Sequence, residues 1–240
     1  MSKTPEDFST FYNEENLKFD YVLARMCYEK FKPFFSGPVA LECGPATGYM
    51  TKYLVNDFKK LYAIEGAATL LDKIPDYKNI IKVKSLFENY KPKIKFDTII
   101  LNHVLEHIEN PVHLLKKMRE WISEKGVICV GVPNAKSFHR LAAVKMGLLK
   151  TEYELNERDK KSGHYRVYDF NSLKQHAIES GYEIINMGGV FIKFLSNSQM
   201  EQFFSEQMIQ AFFEISESFP ENCAVIYVIL KKNTANDSLS

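Results

Sequence analysis

The chain has 240 residues, and 31 Lys and Arg oppose 30 Asp and Glu, so its formal net charge at pH 7 is +1. Hydrophobic residues make up 45% of the sequence and charged residues 25%, which is ordinary for a globular protein and excludes a disordered chain, a collagen-like repeat or a disulfide-stapled miniprotein. The length fits one large domain, and the balanced charge provides no general attraction to nucleic acids or acidic membranes.

The N-terminal residues 1–7 contain acids and Pro5, where a secretory signal would have a basic and then an apolar stretch. No run approaches the roughly 20 apolar residues that a membrane-spanning helix needs. The four cysteines are scattered and form no C-x-x-C pair, which favours buried, reduced thiols. We therefore predict a cytoplasmic protein whose partners include neither membranes nor nucleic acids.

Short β-rich runs alternate with helical stretches along most of the chain. Strands alternating with helices predict an α/β fold, a doubly wound and mostly parallel sheet with helices on both faces. Seven strands are predicted, at residues 39–43, 60–65, 80–83, 96–102, 127–132, 182–187 and 224–230. The clearest helices are predicted at residues 49–58, 67–74, 111–122 and 170–180.

The remaining segments form a cap and two insertions within a single domain, 1–240. Residues 1–36 precede the first strand and contain an amphipathic helix from about Leu17 to Phe31, so we predict an N-terminal helical cap. The insertions cover residues 133–169, which are polar, and 188–222, which are rich in Phe. Aromatic residues at helical spacing indicate either core packing or an oligomer contact, or else the apolar wall of a pocket.

The first predicted strand runs into the turn Gly44-Pro45-Ala46-Thr47-Gly48, which opens a helix. Glycines in such a turn let the backbone approach a ligand at the carboxyl edge of the sheet, where the helix N-terminus offers free N–H groups. The turn lacks the Lys of a phosphate-binding loop and the middle glycine of a dinucleotide fingerprint. It therefore predicts a ligand without a pyrophosphate, with Glu42 just before the turn.

An acid, Glu65, ends the second predicted strand, 21 positions after Gly44. An acid at this spacing characteristically accepts hydrogen bonds from ribose hydroxyls. A single acid at a strand end can also be a solvated or capping residue, but its combination with the glycine turn favours a nucleoside-containing ligand.

Four segments resemble successive motifs of class I S-adenosylmethionine-dependent methyltransferases. They are Leu41–Gly48, Ile64–Gly66, Ser85–Glu88 and Phe96–His107, and they occur in order over residues 39–111. Two later segments, Gly163–Tyr168 and Gly188–Lys193, resemble more loosely the small-molecule branch that O-methylates metabolites and sugars.

This resemblance implies a Rossmann-like methyltransferase fold with S-adenosyl-L-methionine as cofactor and S-adenosyl-L-homocysteine as product. Residues 37–132 would form the cofactor-binding half, and the two insertions would cover the acceptor site. Glu42 and Gly44 would border the methionine portion, Glu65 the ribose, and Ser85 the adenine, although many relatives have an acid near Ser85. Tyr12 or Tyr21 would close over the cofactor. The implied cofactor-binding residues are Tyr12, Glu42, Gly44, Pro45, Gly48, Glu65, Gly66, Ser85, Leu86, Phe87, Asn102 and His103.

Transfer of a methyl group to a hydroxyl requires removal of the hydroxyl proton, and a histidine suits that task. His103 and His164 are the candidate catalytic residues, although His103 can equally position the cofactor and His164 can be an exposed loop residue. Arg166 would suit an anionic acceptor, its alternative being a surface ion pair. With Tyr168 and Phe191 it completes the predicted substrate-binding set.

His103-Val104-Leu105-Glu106-His107 also matches the H-x-x-E-H pattern of zinc peptidases. That chemistry requires both histidines on one face of a sustained helix and a further ligand downstream. Here the motif directly follows a strand, and Pro111 begins a new helix soon after it. We therefore predict no metal site, and we expect Glu106 and His107 to cap or brace the turn.

The sequence thus predicts methyl transfer from S-adenosylmethionine to a small-molecule acceptor. The favoured acceptor atom is a hydroxyl or phosphoryl oxygen of a biosynthetic intermediate that is sugar-linked or phosphorylated. N-methylation of a small metabolite and a catalytically silent cofactor-binding protein are the alternatives. A homodimer through the aromatic second insertion is a further expectation.

Overall fold

A computed structural model of the protein describes residues 4–12 and 14–233, apart from the side chains of residues 14–17. The N-terminal segment forms a short helix, α1 (Pro5–Phe8), and a long helix, α2 (Glu14–Phe31), which begins before the predicted start at Leu17. Of the cap predicted over residues 1–36, residues 1–3 and 13 lie outside the description. None of the described helices combines the length and the apolar character needed to cross a bilayer.

One sheet forms the centre of the molecule. Its strands are β1 (Val39–Cys43), β2 (Lys60–Glu65), β3 (Ile80–Lys84), β4 (Phe96–Asn102), β5 (Ile122–Pro133), β6 (Tyr182–Val190) and β7 (Val225–Lys232). They lie in the order β3-β2-β1-β4-β5-β7-β6. The five strands from β3 to β5 in this order pair in parallel with one another, and β7 runs antiparallel between β5 and β6. The predicted doubly wound, mostly parallel, seven-stranded sheet is confirmed.

Helices connect the strands and cover the sheet. In chain order they are α3 (Thr51–Leu54), α4 (Ala68–Leu71), α5 (Pro111–Met118), α6 (Phe138–Lys145), α7 (Glu157–Ser162), α8 (Phe170–Glu179), α9 (Asn197–Phe203) and α10 (Glu206–Ile215). Asn110 caps α5 by accepting a hydrogen bond from the His113 N–H, and Pro111 occupies the first helical position. This helix ends before the predicted residue 122, because Ile122 pairs with Phe96 and begins β5.

Successive residues of the central strands face opposite layers of the core, as expected for strands buried on both faces. Ile99 of β4 packs in a cluster that contains Leu114 of α5, whereas Ile100 packs in a cluster that contains Phe19 and Leu23 of α2. The four cysteines are free and buried, as predicted. The α2 layer therefore covers one face of the sheet, and α5 and α8 cover the other.

The two insertions follow β5 and β6. The first contains α6 and α7, and the second contains α9 and α10. Gly188 and Gly189 pair with Tyr227 and Ile226 in the sheet, so the second connecting segment begins at Phe191 rather than at the predicted residue 188.

The phenylalanines of the second insertion pack with one another and with α2. The Phe191 ring is fully buried, with its centroid 5.3 Å from that of Phe19 and 6.4 Å from that of Phe212. Phe204 stacks on Phe212 at 5.3 Å, and Phe213 is also buried in this cluster. Of the two alternatives left open by the sequence, core packing describes these rings.

Candidate functional site

Two turns meet at the carboxyl edge of the sheet, where the strand order reverses between β1 and β4. Cys43 pairs with Leu101 in parallel register, so the turns that follow these strands begin side by side. The Gly44 N–H donates to Ile64 O at 2.9 Å, and the His103 N–H donates to Gly131 O at 2.8 Å. In open α/β sheets, ligands bind in the crevice at this position.

A cavity of about 520 Å³ opens beside these turns, a volume in the usual range for small-molecule sites. Further lining residues come from α2 and from both insertions. The cavity brings together seven of the sequence-predicted site residues: Tyr12, Glu42, Gly44, Pro45, Asn102, His103 and His164.

Glu42 and Asn102 place polar atoms with unused hydrogen-bonding capacity in the wall of this cavity. The Glu42 carboxylate is buried and accepts a hydrogen bond of 2.6 Å from the Thr51 hydroxyl. Burial, followed by the nearby charge of Glu65, raises the pKa of Glu42 to about 7. Asn102 Oδ1 is buried without a hydrogen-bond partner among the described residues. A ligand with an ammonium group and further N–H donors would satisfy both, which fits the amino-acid portion of S-adenosylmethionine.

The other predicted cofactor residues flank the cavity at the ends of β2 and β3 and in the first turn: Gly48, Glu65, Gly66, Ser85, Leu86 and Phe87. The Ser85 N–H donates to Glu65 O at 3.1 Å, which joins the two strand ends. Glu65 Oε1 accepts from the Ala67 N–H at 3.0 Å, and burial is the main cause that raises the pKa of Glu65. The carboxylate thus lies at a buried strand end, where the ribose is expected.

Helix α1 covers this flank. A Cβ atom on Gly66 would lie 2.9 Å from Pro5 Cγ and 3.1 Å from Leu86 Cδ2, so only glycine permits this close approach. The Glu6 carboxylate accepts hydrogen bonds from the Ala68 N–H at 3.0 Å and from the Thr69 N–H at 3.3 Å. The N-terminal segment is therefore fastened over the strand ends assigned to the nucleoside.

His103 follows β4 with a left-handed backbone, at φ +57°. Such a conformation is uncommon outside glycine and carries a modest energetic cost. Its Nδ1 lies 3.2 Å from Oε1 of the fully buried Glu106. Burial alone would lower the pKa of His103, but the Glu106 carboxylate outweighs burial and raises it.

The H-x-x-E-H motif does not lie on a sustained helix. His103 ends the strand turn, and Leu105–His107 form a single 3₁₀ turn. The two histidines therefore lack the i, i+4 helical spacing that a zinc peptidase needs.

Four further side chains of the cavity wall form a compact cluster. The Tyr12 hydroxyl lies 3.4 Å from His107 Nε2, and the imidazole rings of His107 and His164 meet edge to face with centroids 4.6 Å apart. His164 Nδ1 lies 3.3 Å from Asp159 Oδ1. Burial lowers the pKa of His107 to about 4, so this imidazole is neutral at pH 7.

The insertions place basic side chains in the wall of the cavity. Arg140 pairs with Asp159 at 3.0 Å, and Arg158 pairs with Asp20 at 2.5 Å. Lys193 differs from both, because its buried ammonium hydrogen-bonds Asn197 Oδ1 and pairs with no carboxylate in the described part of the chain.

Burial lowers the pKa of Lys193 to about 8, against the distant attraction of Asp20. His139 lies in the same wall, and burial followed by the charges of Lys193 and Arg140 holds the pKa of His139 well below its usual range. This part of the cavity wall therefore contains two basic side chains that are paired with acids and one, Lys193, that pairs with no carboxylate among the described residues.

The three predicted substrate-binding residues do not reach the cavity. Arg166 Nη2 donates to Glu109 O at 2.8 Å on the outer side of the molecule. The Tyr168 hydroxyl lies within 3.4 Å of Leu105 O and 3.3 Å of His176 Nδ1, and its side chain is enclosed in the core. Phe191 is buried against Phe19. Tyr168 and Phe191 are therefore part of the core, whereas Arg166 is a partly exposed surface side chain.

Lys193, Asp159 and His107 are among the cavity residues to which the sequence predicted no binding role, and the buried Glu106 lies behind the lining. Lys193 carries a usable signal, since it is the single charge in the apolar run 190–195. Asp159 gives none, because it lies in the charged stretch Glu157–Lys161 and only the fold turns it towards His164.

Comparison with known proteins agrees with this geometry. A family profile described as "Methyltransferase domain" matches residues 30–186. No curated protein sequence is similar enough to count as a relative.

Several solved structures are similar in fold. An S-adenosylmethionine-dependent methyltransferase from Thermotoga maritima aligns with a TM-score of 0.67 at 17% identity, covering 94% of this chain and 98% of that one. One from Mesorhizobium loti aligns with a TM-score of 0.62 at 11% identity, covering 86% and 98%. The plantazolicin methyltransferase BpumL, solved with a monoazolic desmethylPZN analogue and SAH, aligns with a TM-score of 0.61 at 15% identity, covering 94% and 89%.

The family profile spans well over half of the chain, including the glycine turn, Glu65 and the turn after β4. The protein therefore belongs to the methyltransferase-domain family, and it is an S-adenosylmethionine-dependent methyltransferase of class I.

Proposed function

We propose that this methyltransferase modifies an oxygen atom of a small anionic acceptor. The acceptor would be a sugar-linked or phosphorylated biosynthetic intermediate, methylated at a hydroxyl or phosphoryl oxygen. The observation that carries the proposal is Lys193, a buried ammonium that pairs with no carboxylate among the described residues and lines the same cavity as Glu42 and His103. A buried charge is costly unless it is paired, so a carboxylate or phosphate of the acceptor is its natural partner.

The cofactor supplies an electrophilic methyl group on a sulfonium that is already a good leaving group. The protein then has to hold both reactants in line and accept the proton of the acceptor. Glu42 and Asn102 would hold the amino-acid portion of the cofactor, and Glu65 would accept hydrogen bonds from its ribose.

His103 is the proposed base. Its Nδ1 faces the Glu106 carboxylate at 3.2 Å, so the proton of the neutral imidazole is expected on Nδ1, and Nε2 is the basic nitrogen. The turn from β4 fixes the ring beside Asn102, at the end of the cavity assigned to the sulfonium. His164, the second catalytic candidate, lies farther along, between Asp159 and His107.

The test is transfer of an isotope-labelled methyl group to a matched panel of acceptors. Sugar phosphates and hydroxy acids are compared with the corresponding neutral sugars and alcohols, and the methylated atom is located by mass spectrometry. We expect turnover on anionic hydroxyl compounds and little on their neutral counterparts. Equal or faster methylation of the neutral compounds would refute the anionic acceptor.

The same experiment separates the alternatives. A methyl group found on nitrogen would identify an N-methyltransferase. Tight cofactor binding without turnover on any acceptor would indicate a catalytically silent protein. Turnover by His103→Ala and His164→Ala assigns the base, because loss in His103→Ala alone is the expected result.

The homodimer stays a prediction. Phe203, Met208 and Ile215 of the second insertion expose apolar surface, and analytical ultracentrifugation of the full chain measures whether they join two copies.

A further inference from the structure

Glu106, His107 and His164 form a cluster that methyl transfer as described above does not explain as a group, since Glu106 serves there only to orient His103. One potential ligand atom of each residue lies within 4.8 Å of the others. Glu106 and His107 belong to the turn after β4, and His164 follows α7 in the first insertion. The fold therefore brings together two imidazoles and one carboxylate from distant parts of the sequence.

The Glu106 carboxylate gives an independent indication of a missing ligand. The residue is fully buried, and neither carboxylate oxygen has a hydrogen-bond partner among the described residues. His103 Nδ1 approaches Oε1 to 3.2 Å, but without the alignment of a hydrogen bond. A buried carboxylate in this state is costly unless a cation or a set of donors satisfies it.

The surroundings of His164 resemble the outer shell of a metal centre. His164 Nδ1 lies 3.3 Å from Asp159 Oδ1, without the alignment of a hydrogen bond, and Nε2 is the nitrogen free to ligate. Asp159 is itself fixed, because Arg140 lies 3.0 Å from it and the Asn156 N–H donates to it at 3.0 Å. A carboxylate beside the other ring nitrogen of a ligating histidine is typical of metal sites.

We propose that Glu106, His107 and His164 bind one divalent ion of the first transition series, such as Zn²⁺ or Mn²⁺. Two imidazoles and one carboxylate are a known ligand set for such ions, and they leave coordination positions open. His107 and His164 line the cavity, so those positions face the space assigned to the acceptor. The site differs from a zinc-peptidase centre, because its third ligand comes from the insertion and not from a helix.

The ion would bind an acceptor oxygen, and this role rests on the proposed function. An ion at this position lowers the pKa of a bound hydroxyl and so makes its proton easier to transfer. His103 would then remain the group that accepts the proton. Binding of the ion itself does not depend on the identity of the acceptor.

The experiment measures ion binding to the full chain without cofactor or acceptor. Protein stripped with a chelator is titrated with Zn²⁺ or Mn²⁺ by calorimetry, and the bound metal is quantified after gel filtration. We expect one ion per chain in the wild type and binding weakened more than about 100-fold in Glu106→Gln and His164→Asn, since even outer-shell changes cost about 10–100-fold. The matched control is His139→Asn, a buried cavity histidine outside the cluster, which should bind like the wild type.

A second measurement, the melting temperature, distinguishes loss of the ion site from misfolding of a variant. Added Zn²⁺ should raise the melting temperature of the wild type and of His139→Asn but not that of Glu106→Gln, because an ion that binds only the folded state stabilises it. Failure of the wild type to bind, or wild-type binding by Glu106→Gln and His164→Asn, would overturn the site. A chain that binds no ion but methylates anionic acceptors would overturn the metal site and leave the proposed function standing.

Discussion

Replacing Lys193 with methionine is the sharpest test of the proposed acceptor site, because we expect the variant to be more stable but less active than the wild type. Methionine is similar in length and carries no charge. Burial lowers the pKa of Lys193 from 10.5 to about 8. At about 1.4 kcal/mol per pKa unit, the charged side chain therefore costs the folded state about 3 kcal/mol at pH 7. Lys193→Met should raise the free energy of unfolding by about that amount.

The pH dependence of the unfolding free energy tests independently whether the charged Lys193 destabilises the folded state. Because the folded pKa is depressed, the unfolded chain binds more protons than the folded chain between pH 8 and 10.5, so Lys193 contributes stability that increases as the pH rises through this window. The difference in unfolding free energy between Lys193→Met and the wild type should therefore be largest below pH 8 and should shrink above it. Urea unfolding at several pH values measures this difference.

Activity should change in the other direction. A hydrogen bond to a charged group contributes about 1.5–3 kcal/mol, so loss of the ammonium should raise KM for an anionic acceptor by about 10-fold to 150-fold. The affinity for the cofactor should not change, because Lys193 follows β6 and does not belong to the strand ends proposed to hold the cofactor. Lys193→Arg, which keeps the charge, is the matched control. A more stable Lys193→Met with an unchanged KM would refute the acceptor role, and a less stable variant would refute the argument from burial.

Three further predictions concern the cofactor side and the framework. Because burial raises the pKa of Glu42 to about 7, its carboxylate becomes protonated below pH 7. Calorimetry should therefore show that the affinity of the wild type for S-adenosylhomocysteine falls between pH 7 and 5.5. An equal fall in Glu42→Gln would contradict the role of the Glu42 carboxylate. Phe191→Ala should lose about 3–5 kcal/mol in urea unfolding, as expected for a large buried ring, while KM of the folded enzyme stays constant. Arg166→Ala should keep KM and kcat within about twofold in the methyl-transfer assay, since the side chain is a partly exposed surface group; a tenfold rise in KM would return Arg166 to the acceptor site.

Much of the fold could be predicted from the sequence, because strands buried on both faces are marked by continuous apolar runs. The predicted and observed bounds of β4 coincide at Phe96–Asn102. β5 was harder, since it begins with Ile122 and includes charged residues before its apolar run. Glu124 and Lys125 are exposed near the start of β5, where packing does not require apolar side chains. Hydrophobicity therefore could not indicate where the strand begins.

The two halves of the site differ in how far sequence reasoning could reach them. The proposed cofactor side lies at the ends of neighbouring parallel strands. The positions of Glu42, Asn102 and His103 at one edge of the sheet therefore follow directly from the order of the strands. The acceptor side depends on how the insertions fold back over the sheet. Arg166 and Lys193 are both basic residues in these later segments, and only packing decides that the first faces solvent and the second faces the cavity.

Several aromatic residues of the second insertion stabilise the core beside Lys193, and none of them in the described part of the chain lines the cavity. The aromatic lining of the cavity comes from Phe11, Tyr12 and Tyr49, whereas the second insertion contributes polar side chains beside Lys193. Phe191, two residues before Lys193, packs between Phe19 and Phe212. Full burial of one such ring contributes about 1.5–3 kcal/mol, so one or two rings offset the roughly 3 kcal/mol that Lys193 costs. The aromatic cluster thus stabilises the segment that holds the ammonium of Lys193 beside the proposed acceptor site.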